Sequence, residues 1–157
     1  MGIADSIGKR GEAIVCAALT DFGTRPLPYF DPHPLGEKCP TFDYLVELLD
    51  APVPAYFFVQ VKATRAARST KHGAIQRRVG KADIGKMVRC PIPAYVIGVD
   101  EPAAAAFIVT VPGRTARALA SIPTKYPLDD ANRAVLWTEV KDFWTGVRVR
   151  TSSAFAV

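Results

Sequence analysis

Apolar residues along this chain fall into a few dense runs, separated by stretches rich in proline, glycine and charge. The densest is Tyr56-Phe57-Phe58-Val59-Gln60-Val61-Lys62-Ala63-Thr64. Its β-branched and aromatic make-up predicts a strand, and Pro52 and Pro54 mark where it begins. Because side chains alternate faces in a strand, Phe58, Gln60, Lys62 and Thr64 share one face while Phe57, Val59, Val61 and Ala63 share the other. So apolar a run belongs in the middle of a covered sheet, where an ammonium group without a counter-charge costs several kcal/mol. Lys62 therefore needs an acidic neighbour. The competing reading is a half-exposed strand that turns Gln60 and Lys62 to water.

Residues 41–49 form the nearest upstream strand candidate, with Asp43 at its beginning and a turn at Asp50-Ala51-Pro52. Pairing of the two strands would bring Asp43, Gln60 and Lys62 together. Residues 4–22 read as a helix capped by Asp5 or Ser6 and closed by Gly23, with Ile7, Ile14, Val15, Ala18, Leu19 and Phe22 on its apolar face. Gly8 and Gly11 lie inside it at about 1 kcal/mol each relative to alanine, which points to close packing or backbone approach. Glu12 follows directly; taken alone, it reads as a solvated helix glutamate. Six prolines and glycines between residues 24 and 40 leave room for one short extended piece near residues 27–30. His33 and Glu37 in that loop carry no assigned role.

After the central strand, residues 65–89 hold Arg65, Arg68, Lys71, Arg77, Arg78, Lys81, Lys86 and Arg89 against one acid, Asp83. The first part is expected to be irregular. Residues 81–89 predict a helix with Ile84, Met87 and Val88 inward, ended by Pro91. Residues 94–99 and 106–111 read as a hairpin around Glu101-Pro102. Residues 127–146 read as an amphipathic helix capped by Asp129 or Asp130, with Ala134, Trp137, Val140 and Trp144 at core spacing. The tryptophans read as core before they read as a base-stacking platform. Residues 147–157 are expected to pair at a sheet edge or between subunits.

A chain of 157 residues suits one domain that buries enough surface to fold without disulfide or structural metal. Lys and Arg exceed Asp and Glu to give a net charge of +5. Concentrated in one run, that excess reads as a surface that tracks phosphates, against the alternative of a solvated basic loop. Cys16, Cys39 and Cys90 stand far apart, with no CxxC pair, which excludes a zinc finger and suggests a reduced setting. No signal peptide opens the chain and no apolar run reaches the roughly 18 residues of a membrane span. A cytoplasmic protein with no membrane partner is expected.

In order, then, come a helix bearing Gly11-Glu12, a short extended piece, a strand bearing Phe42-Asp43, a strand bearing Val59-Gln60-Val61-Lys62, a basic segment with a helix, and a further strand. This order and these residues resemble the PD-(D/E)xK nuclease superfamily, and most of all its branch near Mrr-type restriction endonucleases and archaeal Holliday-junction resolvases. The run Cys90-Pro91-Ile92-Pro93-Ala94-Tyr95-Val96-Ile97 also looks like bacterial and phage relatives of that branch. The resemblance spans about residues 5–111, with 112–157 a C-terminal extension within the same domain. It implies an α/β fold with a restriction-endonuclease-like αβββαβ core, a central mixed sheet flanked by helices, and a C-terminal helix.

The resemblance also implies a DNA phosphodiesterase dependent on Mg²⁺ or Mn²⁺. Asp43 would be the main metal ligand, joined by the Gln60 side-chain carbonyl, the Val61 backbone carbonyl and Glu12. Lys62 would assist the attacking water or hold the scissile phosphate, while Arg65, Arg68, Lys71, Arg77, Arg78 and Lys81 would contact the DNA backbone. The chain departs from the commoner pattern at Gln60, a neutral amide in place of an acid, and at Phe42, in place of the proline before Asp43. The lost charge should weaken metal binding and favour one ion over two, with Glu47 as reserve ligand on the face of Asp43. It also keeps alive a second reading, a nuclease-like fold without chemistry that binds nucleic acid or serves assembly. A third is a basic RNA-binding protein indifferent to metal. Many relatives of this core act as dimers, so a homodimer is compatible with the resemblance.

Overall fold

The structure, a computed structural model, describes residues 2–66, 73–111, 118–147 and 153–154. In chain order its elements are α1 (Ile3–Leu19), β1 (Phe30–Pro34), β2 (Tyr44–Leu48), β3 (Tyr56–Thr64), β4 (Ala74–Ile75), α2 (Lys81–Arg89), β5 (Ala94–Asp100), β6 (Ala105–Thr110), β7 (Ile122–Pro123) and α3 (Asp130–Thr145). Five strands form a sheet in the order β1-β2-β3-β5-β6. Its β3–β5 pair is parallel, while β1–β2, β2–β3 and β5–β6 are antiparallel. The fold is α/β with a mixed central sheet, and the run of apolar residues that defines β3 is its middle strand.

Both faces of the sheet are covered. On one, Val15 and Leu19 of α1 and Leu136 and Val140 of α3 pack against Val59, Ala63, Tyr95 and Val99. On the other, Ile84 and Met87 of α2 join Ile75, Val79 and Ile122 over Val96 and Phe107. The central position buries Gln60, only 3% exposed, against the reading that turns it to water, while Lys62 further along the strand is half-buried.

Helix α3 is tied to the rest of the molecule through polar atoms as well as apolar ones. The Asp129 side chain caps it by accepting from the Asn132 N–H at 2.9 Å. Trp137 Nε1 donates to the Leu49 carbonyl at 3.0 Å, and Trp144 Nε1 to that of Tyr56 at 2.8 Å, so both tryptophans are structural. Arg133, buried, donates through Nη1 to the carbonyls of Ala18 and Leu128, satisfying an acceptor that the end of α1 leaves open.

Several expectations need correction. The extended piece expected near residues 27–30 begins at Phe30 and runs through Pro32 and Pro34, which is tolerated because β1 is the sheet edge and the missing N–H groups have no ladder to serve. Helix α1 starts at Ile3 and ends at Leu19, capped by Thr20; Phe22 is exposed, outside its apolar face. β2 is shorter than residues 41–49, and Asp43 lies just before it. The basic segment holds a two-residue strand, β4, paired with β7. Gly8 has open space where a Cβ would stand, so the close approach expected there is found only at Gly11. Most of residues 147–157, expected to pair at an edge, lie outside the described residues.

Candidate active site

The site is built where β2 begins. The last β2–β3 pair is Tyr44 opposite Val59, and one residue earlier the Asp43 N–H still donates to the Val59 carbonyl at 2.8 Å. Beyond that point the Asp43 side chain replaces backbone: its Oδ2 accepts the Val61 N–H at 2.6 Å. In an antiparallel ladder, alternate residues direct both N–H and C=O to the same neighbour. The Val61 carbonyl therefore points to the same gap as the Asp43 carboxylate.

Gly11 places Glu12 at this gap. A Cβ at Gly11 would sit 2.4 Å from Ala63 Cβ, so α1 crosses β3 at a distance only glycine permits. The Tyr44 hydroxyl then donates to the Glu12 backbone carbonyl at 3.0 Å, fixing this turn of α1 against the start of β2. Burial pushes the Tyr44 phenol up to about 12, with Cys16, Glu12 and Asp43 adding to the shift.

The Asp43 charge acts on Glu12. Burial raises the proton affinity of Glu12, the neighbouring Asp43 charge raises it further, and Lys9 opposes. Asp43 is also raised by burial, against the opposing pull of the Val61 N–H and Lys62, with Asp83 adding to the rise. Both shifts arise first from burial, which takes the carboxylates out of water and penalises their charged forms. Lys62 is near enough to act on Asp43 but forms no direct ion pair with it among the described residues.

Gln60 lies between Val59 and Val61 on β3. It is buried, and its Oε1 has no hydrogen-bond partner, a condition that costs about 1–3 kcal/mol unless something else engages the atom. Asp43, Glu12, the Gln60 side-chain carbonyl and the Val61 carbonyl are all oxygen donors, the ligand type that suits Mg²⁺ or Mn²⁺ and not a thiophilic metal.

The phosphate-contact residues fare unevenly. Arg77, Arg78 and Lys81 are exposed; Asp83, in the first turn of α2, acts on Asp43 and accepts from Thr41 Oγ1 at 3.4 Å, which brings the start of α2 near the gap. Arg65 is exposed but pairs with Glu101. Arg68 and Lys71 lie outside the described residues. Glu47 is not a reserve ligand for this site. It lies beside His33 Nε2 at 3.5 Å, with Asp31 at 3.6 Å, and the three form an exposed cluster on β1 and β2. Tyr44, Asp83, Arg10 and Glu101 were not singled out by the sequence; the only signal was Asp83 as the lone acid of a basic run. No helix among the described residues is long and apolar enough to cross a membrane. Comparison with models of protein families, with curated proteins and with solved structures returned no match.

Proposed function

We propose that this protein is a divalent-metal-dependent phosphodiesterase acting on DNA, of endonuclease or junction-resolvase type. The observation that carries the reading is the gap beside β3, where the Asp43 carboxylate is held by the Val61 N–H and acts on Glu12, on the strand that also carries a buried Gln60 Oε1 without a hydrogen-bond partner. Asp43, Glu12, Gln60 and the Val61 carbonyl would hold Mg²⁺ or Mn²⁺. Such an ion supplies Lewis-acid stabilisation of charge on the phosphate oxygens and lowers the pKa of water. Asp43 is held for this role by the Val61 N–H. Lys62 places a positive charge beside the carboxylates and offers three N–H donors to a phosphate oxygen or the attacking water. Arg77, Arg78 and Lys81 provide phosphate contacts that position the polymer without reading its sequence.

The resemblance to PD-(D/E)xK nucleases is compatible with the order of α1, the main-sheet strands β1, β2 and β3, α2 and β5, with the two-residue β4 inserted before α2 in a separate sheet. Gln60 favours one specific second reading, a fold that binds nucleic acid without cutting it, because the amide contributes no charge to the metal.

The test is incubation of purified protein with supercoiled, branched and single-stranded DNA, and with RNA, in Mg²⁺ or Mn²⁺. Metal-dependent DNA cleavage that disappears in both Asp43→Ala and Lys62→Ala is expected. Cleavage that survives both changes defeats the proposal, and salt-sensitive binding without cleavage supports the second reading.

A further inference from the structure

Glu101 closes the β5 end of the sheet, where its N–H donates to the Thr64 carbonyl at 3.0 Å. Its side chain is only 10% exposed, yet it faces two arginines whose own side chains are 63% and 65% exposed. Arg10 Nε donates to Glu101 Oε1. Arg65 Nε lies 2.9 Å from Oε2, paired by charge at an angle short of a hydrogen bond. One carboxylate therefore gathers two guanidiniums, one from α1 and one from the residue that follows β3, and these three groups together carry a charge of about +1. Neither arginine has another side-chain partner among the described residues.

Each guanidinium is engaged through Nε, so the edge carrying its two terminal nitrogens is left to present paired donors to a second oxyanion. A structural ion pair needs one arginine. Two arginines on one buried carboxylate, both largely in solvent, gain little stability from the second member, and this surplus points to a ligand.

The position relates the cluster to the gap at Asp43. Gly11 lies over Ala63; from there Glu12 leans toward the start of β2 and Arg10 toward the end of β5. The two sites flank β3 on either side, two strand spacings apart across the sheet and offset from Val61 to Thr64 along it, which together separate them by roughly 14 Å. A mononucleotide held at one cannot easily reach the other, whereas a polymer backbone spans that distance in a few nucleotides.

We propose that Arg10 and Arg65, gathered by Glu101, form a second phosphate station that holds a DNA backbone phosphate flanking the one at Asp43, with Glu101 as the positioning residue. The inference rests on the proposed function for its substrate, and it narrows that substrate to a polymer engaged at two points.

The experiment measures binding of a short DNA duplex by fluorescence anisotropy over a range of salt, without divalent cations, beside cleavage assays on the same duplex and on a small synthetic phosphodiester. Arg10→Ala and Arg65→Ala should each weaken binding and reduce the salt slope by about one. Glu101→Gln adds a positive charge, yet it should weaken binding about threefold or more, because the arginines lose their common anchor. Cleavage of the duplex should suffer in KM, and hydrolysis of the small diester should be unchanged. Unchanged or tighter binding by Glu101→Gln overturns the inference, as does wild-type protein that fails to bind the duplex. If Glu101→Gln does not fold, strictly additive effects of Arg10→Ala and Arg65→Ala overturn it instead. A protein that shows the arginine signature but cuts nothing loses the nuclease reading and keeps the station; one that cuts normally in all three variants loses the station and keeps the nuclease.

Discussion

Replacing Gly11 by alanine tests whether the approach of α1 to β3 sets the site. The added Cβ would sit 2.4 Å from Ala63 Cβ and 3.7 Å from Val61 Cγ1. Carbon atoms rest comfortably at about 3.5–4.0 Å, so the helix must retreat by more than about 1 Å. Overpacking of this kind costs about 1–3 kcal/mol, against about 1 kcal/mol gained from alanine's helix propensity. A collision this short, with an atom fixed to the sheet backbone, belongs at the upper end, for a net loss of about 2 kcal/mol. In a domain of this size that lowers Tm by about 4–8 °C. Because Glu12 is the next residue, a shift of about 1 Å should also reduce cleavage about 100-fold. Thermal denaturation gives the first readout and a metal-dependent cleavage assay the second. Ala63→Gly removes the atom that is struck, so in that background Gly11→Ala should be neutral or stabilising. The reasoning is refuted if Gly11→Ala melts at or above the wild-type temperature, or if Ala63→Gly does not relieve the loss.

Two further outcomes follow from the same geometry. Asp43 and Glu12 bind protons more tightly in the folded protein than in the unfolded chain, so the folded state holds more protons just above the ordinary carboxylate range and metal-free stability falls as pH rises through that window. Asp43→Asn, which keeps an acceptor for the Val61 N–H, should flatten this decline between about pH 4 and 7, as read by Tm against pH; an unchanged profile would contradict it. Tyr44→Phe removes the bond to the Glu12 carbonyl and should cost about 1 kcal/mol, while the wild-type phenol should resist ionisation until about 12 in a spectrophotometric titration.

The parts of the fold legible in the sequence are those where local composition and tertiary burial agree. β3, α2 and the β5–β6 hairpin are apolar runs bounded by proline or turn residues, and they lie where that pattern places them. β1 was displaced because its prolines suppress a strand signal that an edge position overrides. β4 and β7 hold only two residues each, too few for any periodicity. At the site, the alternation along β3 put Gln60 and Lys62 on one face, and a glycine in a helix marked the close approach beside Glu12. The Val61 N–H bond to Asp43 was not legible, because it depends on β2 beginning one residue after the aspartate. Nor was the Arg10–Glu101 pairing, which joins residues 91 apart in sequence and leaves no local trace.

The most direct measurement is Mn²⁺ binding to the full chain by calorimetry, with Asp43→Ala, Gln60→Ala and His33→Ala beside the wild type. One ion per chain is expected, abolished by Asp43→Ala, weakened by Gln60→Ala and unaffected by His33→Ala. Binding that is indifferent to Asp43 and Gln60 but lost with His33 would place the metal at the exposed Asp31, His33 and Glu47 cluster and contradict the site described beside β3.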